Sequence, residues 1–553
     1  MHSVAHLTKQ FLSLFSRNNK TIHIIAQMSI TASVAPYLGC RGYTIFKSTL
    51  SVEAQKKIRS DLTVKPSVAG APMTGAQTTF AVYRESEHKF FVPHHFGVKE
   101  FGPPTEYKIS QGADISVAFV GTLRENQQIV VDTYINHVSH ISCGGGLLEL
   151  PCAYGKTVLS LAVIARCCKK TIIIVHKEFL MNQWIERIHQ FLPDARIGRI
   201  QGPIVDIDDK DIVLCMLQSL SMKEYPASVF ASFGLTIIDE VHHISSEVFS
   251  NSLFKLVTKY TLGLSATMNR KDGTSHVFKM FLGDVLFKGR RDEERAVTVR
   301  AIEYYVDDEE FNEVKLDFRG NVAYSTMMSK LCEYNRRSEF ILTILADMLL
   351  ENANQQIMIL AHNKNILKYL HDAVVHRNLA TVGYYVGGMK EKALKETEGK
   401  KIVIATYSMA AEALDIKTLT TLIMATPKTD IEQSVGRILR DKHASPIVVD
   451  IIDSHRTFKN QWNKRKSFYR KENYKILYAA RGKYRPDTSA WKIVFNPSNP
   501  IGACVPDDEE DDEDDEVVDV DENETDASVM DKKPAAPKDM FATGKCFLSM
   551  LKK

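Results

Sequence analysis

Short, strongly apolar runs recur along residues 171–453, and helical stretches separate them. Runs of this length without polar alternation indicate strands buried on both faces, and strands that alternate with helices indicate a parallel sheet. The sequence therefore predicts an α/β protein with two parallel-sheet lobes in tandem. The first set of runs is TIIIV (171–175), DIVLCML (211–217), LTIIDEV (235–241) and LGLSAT (262–267), and the second is QIMILAH (356–362), VGYYVG (382–387), KIVIATY (401–407), TLIMAT (421–426) and PIVVDIID (446–453).

A chain of 553 residues is too long for one ordinary core, so several domains are expected. In the accessory domain at the start, FAVYRESEHKFFVP (80–93) alternates like a strand. The end of the chain is acidic and poor in aromatics, which is typical of disorder. We predict an α+β N-terminal accessory domain over 1–120, lobe 1 over 121–290, a linker or hinge over 291–340, lobe 2 over 341–500 and a disordered acidic tail over 501–553.

The composition, 44% hydrophobic and 25% charged, is typical of a soluble globular protein. No apolar run has the length of a spanning helix, which argues against a membrane-embedded protein. Nine cysteines without a CxxC pair argue against a disulfide framework or a zinc ribbon. We therefore expect an intracellular protein in a reducing compartment.

The net charge of +3 hides a strong asymmetry. Of the 67 acidic residues, 15 lie in residues 507–526, which hold no Lys or Arg, so the remainder has 70 basic residues against 52 acidic ones. A body this basic favours a polyanionic partner such as nucleic acid. Charge that serves only solubility is the alternative.

The segment ELPCAYGKTVL (149–159) resembles a phosphate-binding loop, with Leu150 where G-x-x-x-x-G-K-[ST] has its first glycine. Backbone N–H groups at the start of the following helix would hold a triphosphate. Lys156 would reach the β and γ oxygens, and the Thr157 hydroxyl would bind Mg²⁺. A GKT triplet alone is weak evidence, because it arises often by chance.

The acidic pair Asp239 and Glu240 ends the apolar run LTII, 82 residues beyond Thr157. A strand end would present Asp239 to the Mg²⁺ and Glu240 to a water in line with the γ-phosphate. A solvated acidic strand end is the alternative, which the preceding phosphate loop disfavours. The two motifs together predict an ATP-hydrolysing site.

Four segments occur in the order and spacing of superfamily 2 helicases of the DEAD/DEAH type. They are LPCAYGKT (150–157), DEVH (239–242), LSAT (264–267) and QSVGRILR (433–440). In that family the loop commonly reads A-x-x-G-x-G-K-T, so Leu150 is compatible with it, whereas Ala153 replaces a usual glycine. The resemblance implies two RecA-like lobes, bound ATP and Mg²⁺, a nucleic-acid strand, and loop contacts to the nucleotide from Leu150 to Thr157, which include Pro151, Cys152 and Tyr154.

The resemblance also implies roles for residues outside the phosphate loop. Gln127 would read adenine with support from Arg124, and Asp415 with Glu412 would lie near the ribose. His242, Ser265 and Thr267 would couple hydrolysis to strand movement, with His242 linked to Gln433 across the cleft. His176, Lys177, Gln218, Ser219 and Thr406 would contact the nucleic acid.

Arg437 and Arg440 are spaced three apart, which places them on one face of a helix. They could both point into the cleft between the lobes and meet the γ-phosphate on closure. A salt-bridged surface is the alternative. The aromatic and basic segment 455–485 likewise allows two interpretations, stacking on bases or packing its aromatics on lobe 2, and we favour packing.

The sequence is compatible with three functions. The SATMNRKDG segment (265–273), with Met268 replacing proline, is similar to XPB/Rad25-type helicases, and the N-terminal region looks like that of their homologues in large cytoplasmic DNA viruses, which include the poxvirus transcript-release helicase. This resemblance implies an ATP-driven motor on DNA that acts in transcription or repair, in host cytoplasm, virion or nucleus. An RNA helicase is the second hypothesis, and a scaffold with a relic core is the third. Retention of Lys156, Glu240 and Arg437 argues against a relic.

Overall fold

The computed structural model describes residues 35–66, 79–151, 154–244, 246–268, 270, 272–289, 296–318, 320–412, 416–438 and 446–497. Over these ranges no helix combines the length and the hydropathy of a membrane span. The predicted disordered tail over 501–553 lies outside the described residues.

The N-terminal region is a five-stranded sheet of order β5-β6-β2-β1-β7 beside a two-stranded sheet, β3-β4. The segment 80–93, which alternates like one strand, forms three short strands instead, and β5 and β6 are paired antiparallel. Ser51 begins α1 by accepting a hydrogen bond from the Ala54 N–H. The elements are β1 Tyr37–Gly39, β2 Gly42–Phe46, α1 Val52–Asp61, β3 Thr63–Val64, β4 Phe80–Ala81, β5 Arg84–Glu85, β6 Lys89–Val92, α2 His94–Phe101 and β7 Glu106–Lys108.

Lobe 1 is an eight-stranded sheet of order β11-β10-β12-β9-β13-β14-β8-β15, parallel except for the edge strand β11. Helices cover the sheet, whose central strands are wholly buried, as the continuous apolar runs predict. The elements are α3 Glu125–Ser139, β8 Gly144–Glu149, α4 Lys156–Cys167, β9 Thr171–Val175, α5 Glu178–Phe191, β10 Ile197–Gln201, β11 Ile204–Asp206, β12 Ile212–Met216, α6 Leu217–Met222, β13 Leu235–Ile238, α7 Ser246–Leu253, β14 Tyr260–Ser265, α8 Ser275–Leu282 and β15 Val285–Lys288.

Lobe 2 repeats this architecture with the order β18-β19-β17-β20-β21-β16-β22-β23, parallel except for the edge strand β23. The structure thus contains the two tandem RecA-like lobes that the sequence predicts. The elements are β16 Thr298–Tyr304, α9 Glu309–Asn312, α10 Tyr324–Glu333, α11 Asn335–Glu351, β17 Gln356–Ala361, α12 Lys364–His376, β18 Val382–Tyr385, α13 Glu391–Glu398, β19 Ile402–Thr406, α14 Tyr407–Glu412, β20 Leu419–Met424, α15 Glu432–Val435, β21 Ile447–Asp453, α16 Arg456–Lys471, β22 Lys475–Ala479 and β23 Lys492–Phe495.

The segment 291–340, for which the sequence predicts a linker or hinge, contributes a central strand to lobe 2. Strand β16 lies between β21 and β22 and is parallel to both. Val299 and Ala301 are fully buried in the sheet. The strand therefore belongs to the core of the second lobe.

The aromatic side chains of helix α16, in the aromatic and basic segment, pack on lobe 2, which is the interpretation that we favour from the sequence. Phe458, Trp462 and Tyr469 are all buried against lobe 2. Arg465 is buried as well and holds Asp450 through its Nε and Nη2 atoms, both at 2.8 Å. These three aromatic rings pack in the core and are not exposed for stacking on bases.

The two lobes meet along helices α5 and α13. Lys395 Nζ lies 2.8 Å from Glu186 Oε1, and Asn182 Nδ2 donates to Glu391 Oε2 at 3.4 Å. Phe179, near the start of α5, packs against the core of lobe 2. Helix α5 is therefore shared between the lobe 1 core and the contact between lobes.

Candidate nucleotide and strand site

The carboxyl ends of the seven parallel strands of lobe 1 lie at one edge of the sheet, where open α/β sheets bind ligands. The segments with the predicted site residues begin at this edge. The phosphate loop follows β8, the DEVH segment follows β13 and the SAT segment is at the end of β14. β14 links the others, because it pairs with both β8 and β13.

The phosphate loop requires glycine at position 155. Gly155 has φ +90, and a Cβ there would lie 2.5 Å from Gln127 Nε2. Helix α4 begins at the next residue, Lys156, with half-buried Thr157 in its first turn. Leu150 is buried and its N–H donates to Ser265 O at 2.8 Å. Half-buried Pro151 follows, and Cys152 and Ala153 lie outside the described residues.

The acidic pair and the loop lysine form one network. Lys156 Nζ lies 2.6 Å from Glu240 Oε1. Asp239 is buried, and its pKa is raised above the usual range first by that burial and then by the Glu240 charge. Glu240 has φ 49, a left-handed conformation that a non-glycine residue adopts mainly where the surrounding structure enforces it.

These residues fit a magnesium-bound triphosphate. The start of α4 supplies backbone N–H groups, Lys156 supplies an ammonium, and Thr157 and Asp239 supply oxygens, which are the ligands that Mg²⁺ prefers. Among the described residues no three His, Cys, Asp or Glu side chains cluster as a metal site.

Arg124 and Gln127 lie against the phosphate loop. Arg124 Nη2 and Gln127 Nε2 both donate to Tyr154 O, at 2.7 and 2.8 Å. Gln127 Oε1 accepts from the Arg124 N–H at 3.0 Å. The amide predicted to read adenine is thus hydrogen-bonded at both ends to protein backbone, and it supports the loop in this structure.

His242 connects three of the predicted site residues across the two lobes. Its Nδ1 lies 2.6 Å from Ser265 Oγ and 3.4 Å from Glu240 Oε2. Its Nε2 lies 3.1 Å from Gln433 Nε2 in lobe 2. Ser265 Oγ also donates to Thr267 O. The residues for which the resemblance implies coupling therefore form one chain of contacts from lobe 1 to lobe 2.

Arg437 follows helix α15 and is almost fully buried. Helix α15 has only four residues and ends at Val435, so Arg437 lies in the turn that follows, where it is 8% exposed. Arg440 and Asp415 lie outside the described residues, and Glu412 ends helix α14. Arg437 thus lies just beyond the helix, and its predicted placement on one face with Arg440 stays a prediction.

The predicted nucleic-acid residues lie at the carboxyl ends of β9, β12 and β19. Gln218 is exposed, and its Nε2 donates to His176 O at 2.7 Å, which links the two segments of lobe 1. Lys177 and Ser219 are half-buried, and Ser219 Oγ accepts from the Gly202 N–H. Thr406 in lobe 2 is buried, with its hydroxyl 3.3 Å from Ser408 Oγ.

Two contacts at the site were not foreseen from the sequence. Arg270 Nη1 donates to His242 O and Ile244 O, at 2.6 and 2.7 Å, and so holds the DEVH turn. Burial of its partner Asp272 raises the pKa of that carboxyl. The hydrogen bonds from Arg270 and Thr274 lower the pKa by more than burial raises it, so that the pKa is about 2. The R-x-D spacing was the available signal. Trp184 Nε1 donates to Asp239 Oδ2 at 2.9 Å, and the sequence motifs assign no role to this residue.

Comparison with known proteins agrees with this geometry. Residues 121–270 match the family model described as type III restriction enzyme, res subunit. The chain is 34% identical over 450 residues to a protein of Acanthamoeba polyphaga mimivirus named as an ATP-dependent RNA helicase, covering 79% of this chain and 85% of that protein. It is 26% identical to a protein of invertebrate iridescent virus 6 named as a helicase, over 66% of this chain and 85% of the relative.

A protein of African swine fever virus named as an ATP-dependent RNA helicase is 26% identical, over 64% of this chain and 74% of its own length. The crystal structure of T4 UvsW matches over 78% of this chain and 96% of its own, at 16% identity and a TM-score of 0.30. The extended identity to the mimivirus protein, over two lobes that carry the helicase segments, shows that this chain belongs to the superfamily 2 family of ATP-hydrolysing helicases.

Proposed function

We propose that this protein is an ATP- and Mg²⁺-dependent DNA translocase or helicase that acts in transcription or repair. The observation that carries the proposal is the contact between His242 and Gln433, because it joins the acidic segment of lobe 1 to the QSVGR segment of lobe 2. A motor of this kind needs a site that is completed only when two lobes meet.

Each residue of the site would have one task. Lys156 and the N–H groups of α4 would bind the phosphates, and Thr157 with Asp239 would hold the cation. Glu240 would orient the attacking water once Lys156 leaves it for the phosphates. Arg437 would approach the γ-phosphate from lobe 2, and bound Mg²⁺ would neutralise charge on the β and γ oxygens.

The nucleic-acid strand would run along the carboxyl edges of both sheets. His176, Lys177, Gln218 and Ser219 would meet its backbone from lobe 1, and the segment around Thr406 from lobe 2. Contacts of this kind give affinity with little sequence preference. The surplus of basic residues outside 507–526 supports binding of a polyanion.

DNA is favoured as the substrate because SATMNRKDG (265–273) is similar to the XPB/Rad25-type segment. RNA is the second candidate, since the relatives from mimivirus and African swine fever virus are named as RNA helicases. The proposed setting, a viral transcription complex in host cytoplasm, rests on the viral relatives.

The test is an ATPase assay with single-stranded DNA and RNA of matched length and sequence. We expect DNA to raise the turnover rate at least 10-fold more than RNA does, and Lys156→Ala to remove turnover with either. Stimulation by RNA alone would establish the second candidate. Full turnover by Lys156→Ala would refute the nucleotide site.

A further inference from the structure

The indole of Trp184 is bonded to a carboxylate of the proposed nucleotide site. Trp184 is 2% exposed and lies on the buried face of α5 with Leu180, Met181 and Ile188. A buried indole N–H needs an acceptor. Trp491 satisfies this need with a backbone carbonyl, Arg485 O at 3.1 Å, whereas Trp184 uses Asp239 Oδ2 at 2.9 Å.

Both oxygens of Asp239 are held by protein donors. Oδ1 accepts from the Glu240 N–H at 3.0 Å, and Oδ2 accepts from the indole. Two donors on opposite oxygens fix the orientation of the carboxylate plane. Because an ionised carboxylate has about four lone-pair positions, two remain for a cation.

We propose that Trp184 is a positioning residue that orients Asp239 for the nucleotide-bound divalent cation. The inference rests on the proposed function, in which Asp239 is a magnesium ligand. Hydrogen bonds to the ligands of a metal fix their orientation, and losing such a partner typically weakens metal binding by about 10- to 100-fold.

Helix α5, which carries Trp184, also contacts the second lobe. The helix follows His176 and Lys177, which are proposed to contact the nucleic acid. Its exposed face meets lobe 2 through Asn182 and Glu186. Trp184 lies on the opposite, buried face. The indole therefore connects the metal carboxylate to the element that touches both the proposed strand path and the second lobe.

The experiment measures how much Mg²⁺ tightens binding of a fluorescent ADP analogue, by anisotropy, as the ratio of the dissociation constants in EDTA and in Mg²⁺. For Trp184→Phe we expect this ratio to fall about 10-fold, with affinity in EDTA unchanged. Trp491→Phe is the matched control and should keep the wild-type ratio, because it loses an indole bond to a backbone carbonyl in lobe 2. A wild-type ratio in Trp184→Phe would overturn the inference.

Two further variants separate the role of Trp184 from that of the magnesium site. If Trp184→Phe does not fold, 3-benzothienylalanine at position 184 replaces the N–H by sulfur in a ring of nearly the same shape, and the same loss is expected. Asp239→Asn should abolish the Mg²⁺ effect. If it does so while the substitutions at position 184 change nothing, only the role of Trp184 is refuted; if it does not, the magnesium site itself is refuted.

Discussion

At the residue scale, the site depends on backbone conformations that few residue types adopt. Gly155 and Glu240 both have positive φ, at 90 and 49. The left-handed conformation costs a non-glycine residue about 1–2 kcal/mol. Glu240 tolerates it while bonded to Lys156. At position 155 a Cβ would also lie 2.5 Å from Gln127 Nε2, so that amide would have to move.

We expect Gly155→Ala to weaken ATP binding at least 10-fold, because the new methyl would displace Gln127 and the loop that its amide supports. Gly399→Ala is the control, since φ there is −86 and the nearest atom to a new Cβ is 3.7 Å away. Isothermal titration with a non-hydrolysable ATP analogue measures the effect. Equal affinity in both variants would show that the loop adapts.

At the element scale, buried ion pairs tie helices of lobe 2 to its sheet. Arg337 in α11 binds Asp453 through Nε and Nη2, at 2.6 and 2.8 Å, and donates to Ala425 O at 2.7 Å. Both charged side chains are fully buried. The pair fixes the start of α11 against the end of β21, the strand that precedes α16.

Arg337→Met should lower the free energy of unfolding by about 3–5 kcal/mol, because it leaves the Asp453 carboxylate buried without its cation. Arg377→Met removes an arginine from Glu339, where both partners are exposed, and should cost less than about 1 kcal/mol. Urea titrations followed by circular dichroism compare the two. Similar losses would mean that burial does not decide the cost.

The elements that the sequence predicted best are the buried parallel strands. The run TIIIV is β9 without change, and KIVIATY contains β19 at Ile402–Thr406. Strand β16 was missed because TVRAIEY carries two charges. The structure accommodates both, Arg300 by two 2.6 Å bonds to Glu351 and Glu303 by a bond from Tyr478. Such partners lie far along the chain, so sequence pattern does not reveal them.

At the scale of the whole molecule, lobe 1 is the centre to which the other parts attach. Lobe 2 meets it through the His242–Gln433 contact and through helix α13. The N-terminal region meets it at the start of α2, where the His95 ring packs against Gly283. A Cβ at position 283 would lie only 2.7 Å from His95 Cε1. Arg84 lies over the Phe254 ring at 5.6 Å in the same contact.

His94 and His95, at the start of α2, predict how stability depends on pH. Burial, then the His95 charge, lowers the pKa of His94 to about 3; burial, opposed by Asp284 and assisted by His137, lowers that of His95 to about 4. In the unfolded chain both titrate near about 6.5. Their stabilisation is therefore complete above about pH 6.5. It is lost as pH falls through about 4 for His95 and about 3 for His94, because the unfolded chain binds these protons at a higher pH than the folded one does. Replacing both by Gln should flatten the decline in urea midpoint between pH 7 and 5, whereas His88→Gln, an exposed site, should not. An unchanged decline in the double variant would place the acid sensitivity elsewhere.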